Sequence, residues 1–331
     1  MLAGDIRYFY ATTRAGDNTN GGRMSGSEVV SGLPGDFFVH VDSAARLGET
    51  VEIEKGFFKC HDDADGAGRN PKVFYDGDAA QGDDYCLFYP GTQRDTEADD
   101  PFTGAQGYAA GTLDAEITAG VSQSLTIVFK NAAQAALPFN GGQLRVTSKA
   151  RFNLAGNEQY LTVDQAPVVV DNKVTLHFAE ALSYTFAAGV LVSMVYLPDD
   201  DVECTISDTG STGGAAGDFG AIILDNIGTI EQDWVGTMSD ATNYTLVGDT
   251  LGAVGSSLIS AEFAPLNGDW AKPLLKIPAA FFDGLTLAGG DTFSFTTHPA
   301  ATPVWEKHVN PADAAVTNSN SIWLVQRVEA A

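Results

Sequence analysis

Three groups of residues have the types and spacings that chemistry asks for. The first is the run His61-Asp-Asp-Ala-Asp-Gly-Ala-Gly. A calcium hand takes oxygen ligands from alternating loop positions, turns on a glycine and closes on a bidentate carboxylate at position twelve. Asp63, Asp65 and Gly66 meet that register, but His61 stands where the first aspartate belongs and Lys72 falls at the twelfth place. A cation there removes the clamp. The stretch therefore reads as an acidic hairpin turn, with Asp63 and Asp65 as weak calcium candidates.

The second group is acidic: Asp199, Asp200 and Asp201 in one run, and Asp95, Glu97, Asp99 and Asp100 in another. Neighbouring side chains of an extended segment point to opposite faces, so the first run converges only if its loop bends around an ion; it reads as a solvated linker. Paired carboxylates serve glycoside hydrolysis, yet nothing in the spacing selects a pair from 43 acidic residues. The third group is His40, His61, His177, His298 and His308, which are dispersed and build no metal face. HExxH, paired CxxC, P-loop, dinucleotide and Gly-x-Ser-x-Gly signatures are absent. Gly252-Ala-Val-Gly-Ser-Ser lacks the P-loop lysine and reads as a turn. The expectation is a chain without catalytic residues, cofactor or resident metal.

Short apolar runs punctuated by Gly, Asp, Asn and Pro must position whatever these residues do. Val51–Phe57, Lys72–Tyr75, Tyr85–Tyr89, Thr112–Ile117, Ser124–Phe129, Gln143–Ser148, Glu158–Val163 and Val174–Phe178 read as strands at close spacing. Antiparallel pairing among the first three is expected from their short connections. Thr185–Tyr196 is more continuously apolar and reads as a covered central strand. Residues 36–47 fit either a strand or a short capped helical turn. Downstream, Ala221–Leu224, Tyr244–Val247, Ser257–Phe263, Thr292–Thr296 and Ile322–Val328 are strand candidates, while Pro273, Pro278, Pro299, Pro303 and Pro311 argue against ladders running through them.

The fold class that follows is mainly β, with antiparallel sandwich-like or barrel-like modules and short helical turns. Residues 1–27 read as a flexible or assembly arm, 28–198 as an N-terminal β-rich module, 199–217 as a linker rich in Gly, Ser, Thr and Asp, and 218–331 as a C-terminal sandwich-like module. Phe57, Phe58, Trp234 and Trp305 are the aromatic packing or assembly anchors. All four tryptophans, at 234, 270, 305 and 323, fall in the C-terminal part. They suit a core or subunit contact, with a sugar-stacking platform as the alternative.

At 331 residues the chain can bury a substantial core, and 44% hydrophobic with 10% aromatic residues supplies it. The formal net charge is −25, from 43 acidic against 18 basic side chains. A field of that sign opposes contact with nucleic acid or an anionic bilayer, and an acidic wall would keep DNA from sticking if DNA had to slide past. The opening MLAGDIRYFY meets Asp5 and Arg7 at once, so no export signal is expected, and no apolar stretch approaches twenty residues. Cys60, Cys86 and Cys204 are too few for a disulfide scaffold, leaving one Cys60–Cys86 bridge as an option against reduced thiols.

Several long segments together resemble a structural protein of Mu-like and related tailed phages and prophages. They are VEIEKGFFKCHDDADGAGRNPKVFYDG, DDYCLFYPGTQRDTEAD, Ile222–Gln232, TNYTLVGDTLGAVGS, SLISAEFAPLNGDWAKPLLKIPAA, GGDTFSFTTHPAATPVWEKHV and NPADAAV. The likeness runs from about residue 28 to 328 as an extended pattern. Glu306 and Lys307 depart from it where a more basic pair is expected, as does Asp313 in place of glycine. The resemblance implies a virion component made in the host cytoplasm and used in many copies or in a ring. Tail tube or tail-tip and baseplate come first; head decoration or a carbohydrate-binding adhesin are the alternatives. It implies homo-oligomeric and other virion partners, and neither an enzyme nor a cofactor.

Overall fold

The computed structural model describes residues 5–30, 36–38, 48–77, 83–137, 139, 142–149, 155–313 and 323–330. His40 and most of the ambiguous segment 36–47 lie outside them, as does Ile322. The fold is mainly β, and every strand pair is antiparallel.

The first sheet has the order β2-β1-β3-β18-β5, built from β1 (Ile6–Thr13), β2 (Gly21–Glu28), β3 (Thr50–Cys60), β5 (Tyr85–Pro90) and β18 (Ala301–Asn310). The second has seven strands in the order β10-β11-β7-β6-β12-β8-β9. Its members are β6 (Ala110–Leu113), β7 (Ser124–Val128), β8 (Gly142–Thr147), β9 (Glu158–Val163), β10 (Val168–Val170), β11 (Lys173–His177) and β12 (Leu191–Val195). The third has the order β13-β17-β14-β15-β16, from β13 (Thr205–Thr212), β14 (Gln232–Met238), β15 (Asn243–Gly248), β16 (Gly252–Leu258) and β17 (Thr292–His298). A two-stranded ribbon pairs β4 (Gly68–Tyr75) with β19 (Leu324–Ala330). Among the described residues the one α-helix, α1 (Ala132–Ala135), is a single turn capped by Asn131, whose side chain accepts from the Ala133 N–H.

The first and second sheets share one continuous core. Phe58, Cys86, Phe88 and Trp305 of the first sheet, with Tyr75 of the ribbon, share it with Leu125, Ile127, Leu144, Val192 and Met194 of the second. A separate core fills the C-terminal module around Trp234, Tyr244, Leu275, Phe281 and Phe293. Strand alternation explains the division of labour in β3: Phe58 faces the large core, while its neighbour Phe57 points to the opposite face, where it packs with Phe9, Ala11 and Met24 beside Trp270 of the C-terminal module.

The C-terminal module is an insertion. The chain leaves the first unit near Val202, which bridges to Gly68, builds residues 205–298, and returns as β18. β18 lies between β3 and β5 and pairs with β3 over ten consecutive positions, from Ala301↔Lys59 to Asn310↔Thr50. The expected division at 218–331 is therefore corrected: residues 301–310 and 324–330 belong to the N-terminal sheets. Pro303 was expected to stop a ladder. Its carbonyl accepts from the Gly91 N–H, just past the last β5 pair at Val304↔Pro90, so its missing N–H falls beyond the β5 ladder.

Other expectations change. In the stretch 1–27, β1 and β2 form one side of the first sheet, with Phe9, Tyr10 and Ala11 buried, so its described part is no loose arm. The expected linker 199–217 contains β13, whose polar sequence pairs with β17. Nor do β3, β4 and β5 pair with one another: β3 lies between β1 and β18, and β4 takes β19. In place of a strand over Ala221–Leu224, a 3-10 turn, Phe219–Ala221, ends at Ala221 and Ile223 makes a single bridge to Lys276. Cys60 and Cys86 are both buried on the first sheet and no disulfide joins them.

Candidate functional site

The residues singled out in the sequence are mostly interior. Phe57, Phe58, Trp234 and Trp305 are all buried within this chain's own cores, so they anchor packing and offer nothing to a partner surface. The indole N–H of Trp305 donates to Asp95 Oδ2 at 2.8 Å and that of Trp234 to Thr297 Oγ1 at 2.9 Å, as buried indoles require. Among the described residues Tyr184 is the exposed large aromatic, while Trp234 and Trp305 are buried and Trp270 and Trp323 half-buried, so no tryptophan stands open as a sugar platform.

Asp63 and Asp65 turn to separate tasks. Asp63 Oδ1 pairs with Lys272 Nζ at 2.8 Å, and Asp65 Oδ1 accepts the Asn226 N–H at 2.8 Å. Asp65 adopts φ 53°, a conformation that aspartate tolerates better than most residues. Their loop joins two different sheets rather than a hairpin, and both aspartates hold it against the inserted module. Among the described residues no group of three or more His, Cys, Asp or Glu is placed to hold a metal.

The strongest concentration of chemistry lies where the inserted module meets the first unit. β14 and the residue before it alternate Glu231, Gln232, Asp233 and Trp234. The period of two puts Trp234 into the module core and both carboxylates on the outer face. From the loop after β5, Arg94 reaches across. Its Nη1 and Nη2 meet Asp233 Oδ2 and Oδ1 at 2.7 and 2.6 Å, and its Nε meets Glu231 Oε1 at 2.5 Å. Arg23 of β2 binds Asp249 Oδ2 at 2.6 Å. The Arg94 fork holds the Asp233 carboxyl well below the usual range, at about 2.

Glu231 has a second partner on its other oxygen. His298 Nδ1 lies 2.7 Å from Glu231 Oε2, and His298 Nε2 lies 2.8 Å from Ser207 Oγ. Cross-strand register produces this row. Gln232 pairs with Thr297, so Glu231 lies opposite His298, and Ser207 is opposite Thr296, one step along the same face. Glu231 is buried, His298 is 28% exposed and Ser207 is half-buried. The Glu231 hydrogen bond raises the His298 pKa above its ordinary value, against the pull of burial. Beside His298 opens a cleft of about 750 Å³, walled by Asp199, Asp200, Asp201, Glu203 and Thr205.

A second buried ionisable group sits on the first sheet. Glu306 is buried on the β18 face, where Tyr8 Oη donates to its Oε1 at 2.8 Å. Burial raises its pKa to about 7, with Glu54 adding to the shift and Tyr8 opposing it. Two residues on, His308 is flanked by Glu52 and Asp84, each 3.4 Å away. Burial opposes its charge, but the two carboxylates lift its pKa to about 9. Lys59, also buried, donates to the Ile227 carbonyl at 2.7 Å beneath the Trp270 ring, and burial pushes its pKa down to about 7.

Sequence reasoning missed this junction. Ser207 and His298 are 91 residues apart and His298 and Glu231 are 67 apart, so no local motif contains them. The one legible signal was the alternation of Glu231 and Asp233 with Gln232 and Trp234, which places two acids on one face. Comparison with protein-family models, with curated proteins and with solved structures finds no match. No helix among the described residues is long and apolar enough to cross a membrane.

Proposed function

We propose that the chain is a structural subunit of a tailed-phage virion, set in the tail tube or the tail-tip and baseplate region, and that its work is ordered self-assembly. The extended sequence resemblance motivates this reading, and the observation that carries it is β10. This strand is one edge of the seven-stranded sheet, and its Val168, Val169 and Val170 are 56%, 45% and 62% exposed. A bare apolar edge is a template for another strand, and proteins ordinarily blunt it with charge, proline or a covering segment. Repetition around a closed ring consumes such edges without open-ended growth.

Two further features suit the role. The ionic junction fixes the inserted module to the first unit through Arg94 and Arg23, which gives a subunit a defined shape to repeat. The net charge of −25 would make any surface facing passing DNA repel it. The test is reconstruction of intact particles together with the solution assembly of Val169→Lys. Rings containing this polypeptide, with β10 at the subunit boundary and assembly abolished by the lysine, are expected. Particles lacking the chain, or assembly undiminished in the variant, would overturn the reading.

A further inference from the structure

Ser207, His298 and Glu231 form a hydroxyl–imidazole–carboxylate relay in the geometry used by nucleophilic serine sites. Ser207 Oγ is 2.8 Å from His298 Nε2, and His298 Nδ1 is 2.7 Å from Glu231 Oε2. Such contacts let the carboxylate fix the imidazole tautomer while the far nitrogen takes the hydroxyl proton. We propose that Ser207 is an acyl-accepting nucleophile for small esters, with His298 as its general base and Glu231 as the residue that positions and polarises His298.

Three features beyond the relay support the assignment. Residues 207 to 210 of β13 contain a register shift against β17: Ser207 pairs with Thr296 and Gly210 with Ser294, which leaves Asp208 and Thr209 facing a single residue. Bulges of this kind re-aim side chains beside active sites and take backbone N–H groups out of the ladder, the donors that a developing oxyanion needs. Asp208 within it has φ 49°. His298 also forms part of the wall of the 750 Å³ cleft, so a substrate in that cleft can meet the base.

The charges define the substrate class. Asp199, Asp200, Asp201 and Glu203 border the cleft, so it favours neutral or cationic esters and repels anionic ones. In the reaction, Ser207 Oγ adds to the ester carbonyl carbon as its proton passes to His298 Nε2. The ester C–O bond breaks and the proton leaves with the alcohol. Water then attacks the acyl-serine with His298 again as base, which releases the carboxylic acid and restores Ser207. Besides the acids of the cleft, the charged groups beside His298 or Ser207 are Glu231 and Arg94 at the junction, and Asp208, whose Oδ2 lies 3.0 Å from Ser207 Oγ and competes for its proton.

The test uses the full chain, a neutral fluorophosphonate probe and p-nitrophenyl acetate. Phosphonylation mapped to Ser207 by peptide mass spectrometry is expected. Ser207→Ala and His298→Gln should each lower ester hydrolysis about 100-fold or more, the scale of a positioned base, while Ser211→Ala on the same strand leaves it unchanged. The rate should rise with pH as His298 loses its proton, and Glu231→Gln should move that midpoint down, a shift that a merely structural Glu231 would not give. Ser207→Cys supplies a second reading: its thiol should alkylate with iodoacetamide faster than Cys204, and the excess should vanish when His298→Gln is added. A choline ester should outpace a succinate ester. No adduct at Ser207, or hydrolysis and alkylation indifferent to His298, would overturn the proposal. Neither result bears on β10, which lies on a different sheet.

Discussion

Arg94 and Asp233 meet fork to fork, with Nη1 2.7 Å from Oδ2 and Nη2 2.6 Å from Oδ1, and this pair joins two units that share no sheet. Arg94 also neutralises the buried Glu231. Removing it takes away a bidentate contact and leaves the buried Glu231 with His298 as its remaining charged partner. Arg94→Ala should lower unfolding stability by about 2–4 kcal/mol, less than a fully buried pair because the guanidinium is partly exposed. Chemical denaturation checks the size, and earlier proteolytic cutting near 199–204 checks the place.

The same pair sets an acid limit. The Asp233 pKa in the fold, about 2, lies below its unfolded value, so its contribution is complete above about pH 4 and disappears as pH falls toward 2. Urea titrations at a series of pH values should show this decline in the wild type and a weaker one in Asp233→Asn.

Glu306 acts with the opposite sign. Its folded pKa, about 7, lies above the unfolded value, so the fold is undisturbed at pH 4 and loses stability as pH rises from about 4.5 to 7. Glu306→Gln should be near neutral at pH 4.5 and stabilising at pH 8, on the order of 3 kcal/mol for this shift in a buried group. Thermal melting at the two pH values tests it, and an equal effect at both would contradict the assignment.

His308 adds an alkaline limit. Its pKa is raised to about 9, so the stability it contributes is complete below about pH 6.5 and fades as pH climbs through 9. Glu52→Gln and Asp84→Asn should each bring that fade to lower pH, as followed by the His308 ring resonances.

Gly56 leaves room for the Tyr8 ring that caps Glu306. A Cβ at position 56 would collide with the Tyr8 ring and hydroxyl. Gly56→Ala should therefore cost about 1–3 kcal/mol as overpacking. It should also displace the phenol that donates to Glu306, a change visible in near-UV dichroism.

Much of the N-terminal fold was legible because its strands alternate or run apolar over a few residues. Glu158–Val163 coincides with β9, and Val170-Asp-Asn-Lys makes a tight connection after it, with Val170 opposite Lys173. Leu191–Val195, inside the apolar run 185–196, lies between β6 and β8 as a covered strand. Where the reading failed, tertiary contact had replaced local pattern. β13 is Thr-Ile-Ser-Asp-Thr-Gly-Ser-Thr, a linker by composition and a strand only because β17 offers it a ladder. β18 was hidden by Pro303, and β2 by its loop-like Gly- and Ser-rich residues. Beyond the alternation of Glu231 and Asp233 the junction was hidden for a related reason: sheet register brings its acids and its histidine together, and a loop brings Arg94, over distances that no motif spans.

The insertion at 205–298 begins and ends side by side, since Thr205 is the register partner of His298. Its two ends are thus held one strand spacing apart, and the host sheets close around β18. That makes the module a conditional cassette: a replacement needs termini that emerge from adjacent strands and must also cover Lys59 and Phe57, which Ile227 and Trp270 cover here.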